Sequence, residues 1–182
     1  MMDIRHRKVG FDNLRHGLAG LDKQALERLL KEVYSHLGMS VIELSLIMRV
    51  NRHRNLLRYI RLENFHIMDR LLDKGQGIIC VIGHLGNWEL AGLAVSQAGY
   101  PLNSLARPLE NVYLDNYLNS VRKITGQNII PKYNAMNFMK NVLKSNQVLV
   151  IQVDQNTKNG VFVDFFGRKA GTIRSPALLS LR

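Results

Sequence analysis

One cysteine in 182 residues, Cys80, leaves nothing to pair with. That excludes a disulfide framework and a cysteine-based zinc site, and it fits a reducing compartment. Proline is scarce, at four, and no low-complexity tract occurs, while apolar residues make up 46% of the chain. The composition is that of a folded chain with one sizeable core rather than two independent ones. Long hydrophobic runs are also missing. The longest outside the strand-like segments, Val41 to Met48, is interrupted by Glu43 and Ser45 and falls far short of the roughly 20 residues a spanning helix needs. The N-terminus carries Asp3, Arg5, Arg7 and Lys8, which does not read as a signal peptide. No G-x-G-x-x-G or G-x-x-x-x-G-K-[ST] follows a strand pattern, so nucleotide binding loses its main support. Acids are few beside bases, 14 against 25, for a net charge of +11. Such an excess points to an anionic partner: nucleic acid, an acidic membrane surface or an acidic carrier protein.

What is present centres on Gly77 to Gly92, G-I-I-C-V-I-G-H-L-G-N-W-E-L-A-G. Ile78 to Ile82 is an unbroken, β-branched-rich apolar run of the kind buried on both faces of a parallel sheet. From Trp88 the apolar spacing becomes helical, with Asn87 as a candidate N-cap. His84 and Glu89 lie at the corner between the two. Five residues along an ideal helix is about 140° of rotation, and along a strand it reaches the opposite face, so only a bend can bring the two together. Gly83 and Gly86 supply one. A histidine held by a carboxylate can take a proton from a hydroxyl. The plain alternative is a histidine capping a turn and an acid decorating a first helical turn.

The wording around the pair goes further. G-H-L-G-N-W-E-L closely resembles the first motif of the bacterial lipid A acyltransferases, within the lysophospholipid acyltransferase group whose hallmark is His, four residues, then an acid. Ala106-Arg107-Pro108-Leu109 with Asn111 resembles that family's second block. Val153-Asp154-Gln155, followed by Gly160 to Val163 and Phe166-Gly167, resembles its third, and Ser175-Pro176-Ala177 its last. The resemblance runs from about Asn13 to the C-terminus. It implies an acyl thioester donor, on acyl carrier protein or coenzyme A, and a lipid A precursor as acceptor, with no cofactor and no metal. It also implies work at the cytoplasmic face of the bacterial inner membrane. Because such proteins usually carry an N-terminal anchor and continue further, the chain is expected to be a piece of a longer one.

Upstream, Asp22 can cap a helix bearing Ala25, Leu26, Leu29, Leu30, Val33 and Leu37, ended by Gly38. Ser40 to Glu43 reads as a capping box opening a second helix, and a third runs from about Glu63 to Asp73. Arg49, Arg52, Arg54, Arg58 and Arg61 form the densest basic stretch, either a solvated helix face or a seat for anionic headgroups. His36, His53 and His66 lack acid or thiol partners at metal spacing. From residue 77 strands near 77–82, 101–106, 127–131 and 147–153 alternate with helices near 88–98, 110–125 and 135–145. That pattern predicts an α/β fold: a largely parallel sheet flanked by helices, behind a helical N-terminal segment over 1–75, with the α/β core over 76–182 continuous with it. The block from Gly160 reads as a hairpin turning at Gly167-Arg168-Lys169, either an edge hairpin or, by the resemblance, one wall of an acyl groove. Ser175 is read as the cap of a last helix.

In an open parallel sheet, ligands gather beyond the carboxyl ends of the strands. His84, Arg107 and Asp154 each follow one. His84 and Glu89 are therefore the candidate catalytic residues, and Arg107, Asp154 and Asn87 the candidate substrate-binding ones. Whether Glu89 or Asp154 partners His84 stays open, as does a structural ion pair for Arg107 with Glu110. An acyltransferase at an anionic membrane surface is the leading reading. An inactive basic membrane-surface fragment and a nucleic-acid module are the rivals, the latter without a recognisable motif. A strand edge left uncovered at Val148–Val153 is the expected weak point.

Overall fold

The computed structural model describes residues 4–49, 55–106, 108–131 and 135–181. Its elements run α1 (Ile4–Gly17), α2 (Lys23–Arg49), a 3-10 turn (Leu56–Arg58), α3 (His66–Leu72), β1 (Ile78–Ile82), α4 (Trp88–Gln97), β2 (Leu102–Ala106), α5 (Val112–Thr125), β3 (Asn128–Pro131), α6 (Ala135–Lys144), β4 (Val148–Gln152), β5 (Val161–Phe165), β6 (Arg168–Thr172) and α7 (Ser175–Ser180). The alternation after residue 77 gives a four-stranded, wholly parallel sheet in the order β1-β4-β2-β3.

Strand β4 is the hinge of this arrangement. Leu149 and Ile151 pack with Met139 of α6 and Leu179 of α7 on one face, and Val148 and Val150 pack with Ile78, Leu102 and Met68 on the other. Period-two alternation thus buries both faces of one strand. A third cluster, Leu93 and Ala94 of α4 with Leu56, joins Leu44 of α2 and Val121 of α5. Burial also pushes the Cys80 thiol up from its ordinary value.

Five sequence expectations need correction. Gly38 does not end a helix: α2 runs through it, and Ser40 Oγ donates to the His36 carbonyl 3.0 Å away in the preceding turn instead of capping a new helix. Asp22 does cap α2, its Oδ1 accepting from Ala25 N at 2.7 Å. Strand β4 lies between β1 and β2, so Val148–Val153 is no edge; β1 is, and its Val81 is 52% exposed. The hairpin turns at Phe166-Gly167, with φ of 49° and 73°. Positive φ at both central residues is what a two-residue turn matching the strand twist demands, and it leaves Arg168 and Lys169 paired with Phe165 and Asp164. Finally, Arg174 rather than Ser175 occupies the cap position of α7, which has Pro176 in its first turn.

Of the arginine stretch, Arg52, Arg54 and the Arg49 side chain lie outside the described residues. Arg61 pairs with Glu63, and Arg58 closes the 3-10 turn. Among the described residues no helix is long and apolar enough to cross a membrane.

Candidate active site

The register of β1 on β4 runs from Ile78 opposite Val148 to Ile82 opposite Gln152, and Val153 N donates to the Ile82 carbonyl at 3.1 Å. Continuing that register by two residues brings His84 opposite Asp154. The Asp154 carboxylate grips the histidine twice: Oδ2 accepts from the His84 backbone N at 2.6 Å, and Oδ1 from Nδ1 at 2.7 Å. Gly83 eases the approach, since a Cβ there would stand in tight contact, 3.3 Å from Asp154 Oδ2.

Electrostatics assign the proton. Burial pushes the Asp154 carboxyl up, but the hydrogen bonds from the His84 backbone and ring, with the histidine's charge, outweigh it and hold the group below its ordinary 3.8. An ionised carboxylate only accepts, so Nδ1 carries a hydrogen, and in the neutral imidazole Nε2 then presents its lone pair. Gln155 Nε2 lies 3.5 Å from that nitrogen. Trp88 meets the imidazole edge-on, with centroids 4.9 Å apart and planes at 77°. The ring is thus fixed at Nδ1, along one edge and near Nε2. Its side chain is 26% exposed, open enough for a substrate to reach.

Glu89 faces the other way. Arg122, its side chain 9% exposed, grips the Glu89 carboxylate through Nε at 3.0 Å and through a second, shorter contact from Nη2. Its Nη1 donates to Asn119 Oδ1 at 2.9 Å. This forked pair ties the first turn of α4 to the last turn of α5. Asn87 is equally committed: Oδ1 caps α4 by accepting from Leu90 N at 3.1 Å, and Nδ2 donates to the Ser40 carbonyl at 3.2 Å and to Glu43 Oε2 at 2.9 Å on α2. Arg107 lies outside the described residues. Its neighbours are anchored, Leu109 N by Asp115 Oδ1 at 2.9 Å and Tyr113 N and Leu114 N by Asn111 Oδ1 at 3.1 Å.

A family description, bacterial lipid A biosynthesis acyltransferase, matches residues 6–182. The chain belongs to that family. Among curated proteins it is similar to a phosphatidylinositol mannoside acyltransferase of Mycolicibacterium smegmatis, 27% identical over 115 residues, 60% of this chain and 38% of the relative. A protein of the same description from Mycobacterium tuberculosis is 26% identical over 119 residues, 63% of this chain and 38% of the relative. The match therefore spans well under half of each relative's length.

Within this lipid A acyltransferase family member, sequence reasoning brought His84, Asp154 and the β1 corner to one place but did not single out Gln155, Trp88 or Arg122. Gln155 was within reach of a sequence argument, since it directly follows Asp154. Arg122 was not: nothing in sequence spacing links it to Glu89, and only the packing of α4 on α5 does. Among the described residues no cluster of His, Cys, Asp and Glu could hold a metal ion.

Proposed function

We propose that the chain transfers an acyl group from a thioester, on acyl carrier protein or coenzyme A, to a hydroxyl of an anionic glycolipid, with a lipid A precursor as the acceptor. The observation that carries this is the Nδ1-to-Asp154 bond, which leaves Nε2 of His84 as the base. Nε2 removes the hydroxyl proton while the oxygen attacks the thioester carbonyl. A C–O bond forms, the tetrahedral intermediate collapses with loss of the C–S bond, and the departing thiolate takes the proton from Nε2. Asp154 stays ionised and holds the tautomer, stabilising the imidazolium between the two steps. The Leu90 and Ala91 N–H groups are used by Asn87, so those of Trp88 and Glu89, at the positive end of α4, are the oxyanion donors in this scheme. Gln155 would release Nε2 and donate to the incoming hydroxyl. Glu89 has a positioning part, through Arg122.

The relatives' description as phosphatidylinositol mannoside acyltransferases supports a glycolipid acceptor as the shared chemistry. The net charge of +11 supports work at an anionic surface, which we place at the cytoplasmic face of the inner membrane. The test is acyl transfer from each donor to a lipid A precursor and to a phosphatidylinositol mannoside. His84→Ala is expected to lower the rate by about 10²–10⁴-fold with the fold intact. Full activity in a folded His84→Ala protein would overturn the mechanism.

A further inference from the structure

Away from the histidine, α1 and α2 enclose a groove of about 370 Å³ lined by Arg7, Phe11, Lys23, Glu27, Leu30, Lys31 and Tyr34. Leu30, at its floor, is 5% exposed. The floor is aliphatic and aromatic; the rim is basic. Three cations against one carboxylate leave a local charge of +2, by the lining just given. Lys23 is 4.0 Å from Glu27, whereas no carboxylate among the described residues pairs with Arg7 or Lys31.

The dimensions select the occupant. The groove holds roughly a dozen water volumes, much more than an inorganic anion fills, so its tenant has an apolar part. A single turn of helix, about 10 Å across and 5.4 Å long, displaces roughly 400 Å³, so a docking helix would engage less than one turn. A bilayer surface, being planar, does not enter a cleft between two helices. A slender amphiphile does. Its head should match +2, and a phosphate monoester carries about −1.5 to −2 near neutrality, where a carboxylate or phosphodiester carries one charge. Arginine's planar fork suits two oxygens of such a head.

We propose that this groove is a binding site for a lipid phosphate monoester, its phosphate between Arg7 and Lys31 and one aliphatic chain along Phe11, Leu30 and Tyr34. The site does not depend on the acyl-transfer reading of His84. It has a route to it, because α2 carries the groove at one end and the Ser40 and Glu43 contacts to Asn87 further along.

Amide NMR on the whole chain, titrated with dodecyl phosphate below its micelle concentration, tests this. Saturable shifts are expected at Arg7, Phe11, Lys31 and Tyr34. Dodecylphosphocholine, laurate and inorganic phosphate should each bind at least about tenfold more weakly, the first two for want of charge and the last for want of a chain. Arg7→Glu with Lys31→Glu should weaken dodecyl phosphate by tenfold or more, and Phe11→Ser should weaken it while leaving the unselective attraction for phosphate unchanged. Unperturbed shifts elsewhere confirm that each variant is folded. Shifts confined to His84 and Trp88, equal affinity for laurate, or affinity indifferent to charge reversal would overturn the proposal. His84→Ala should leave the binding as it is, so failure here and failure of the catalytic reading are separate results.

Discussion

Strands β4 and β5 are matched in composition: Val-Leu-Val-Ile-Gln and Val-Phe-Val-Asp-Phe each hold four apolar residues and one polar one. Their fates are opposite. Val148 and Leu149 are completely buried, whereas Phe162 and Phe165 are both 62% exposed and every β5 position is exposed. β4 has a strand on either side and helices over both faces; among the described residues β5 has only β6 beside it. Apolarity made both segments strands, and the number of neighbours decided which one became core. A lone two-stranded hairpin is marginal in water, so this one depends on its ties. Thr157 N donates to the Gly171 carbonyl at 2.9 Å, Gly171 N to Asn156 Oδ1 at 2.8 Å, and His16 Nε2 contacts the Phe166 carbonyl at 2.7 Å. The hairpin is therefore anchored to the loop that carries Asp154 and Gln155.

The largest effect should come from emptying the buried strand. Leu149→Ala is expected to cost about 3–5 kcal/mol in denaturant unfolding, against about 0.5 kcal/mol or less for Phe162→Ala on the exposed one. Similar costs for the two would break the contrast, since they would mean that the hairpin's apolar faces are covered in solution.

How far the sequence alone reached follows from the same contrast. Four parallel strands, their helices and the Asp22 and Asn87 caps were legible because periodicity and capping are local. Burial was not, because a short apolar run reads the same beside one neighbour or two. Strand order is equally non-local. With β4 placed beside β1, Asp154 becomes the partner of His84 by register; with β2 in that place, it would not. The linear motif pointed to Glu89 because the two residues share one corner, and the three-dimensional partner came from 70 residues away.

Next in size is the polar contact behind the site. Glu89→Gln leaves Arg122 buried with a weakened partner and should cost about 3 kcal/mol. Arg122→Met on top of it should recover part of that loss. A single substitution without measurable cost would remove Glu89 from the framework and return it to the list of groups free to act on substrate.

A smaller change sharpens the hairpin's side of the comparison. Phe166 holds a positive φ that asparagine tolerates better. Phe166→Asn should therefore stabilise the turn by about 0.5 kcal/mol, seen as slower amide exchange at Val163 and Phe165. Faster exchange would show that the phenylalanine ring, which packs near Gly17 of α1, holds the hairpin more firmly than the turn strains it.

The smallest effect concerns the loop between the two strands, where Asp154, its side chain 41% exposed, joins them. Its carboxyl is held below the ordinary 3.8 when folded, so the folded chain binds that proton less tightly than the unfolded one. The stabilisation from the carboxylate is then fully present above the unfolded value and is lost as pH falls through the lower, folded one. The difference in unfolding free energy between the parent and Asp154→Asn should therefore shrink as pH falls below the ordinary 3.8. Because the group is well solvated, the difference will be modest. The lone tryptophan, edge-on to the imidazole, makes fluorescence a convenient probe of both unfolding and the local geometry. A difference that stayed unchanged well below pH 3.8 would mean that the Asp154 carboxylate does not govern it.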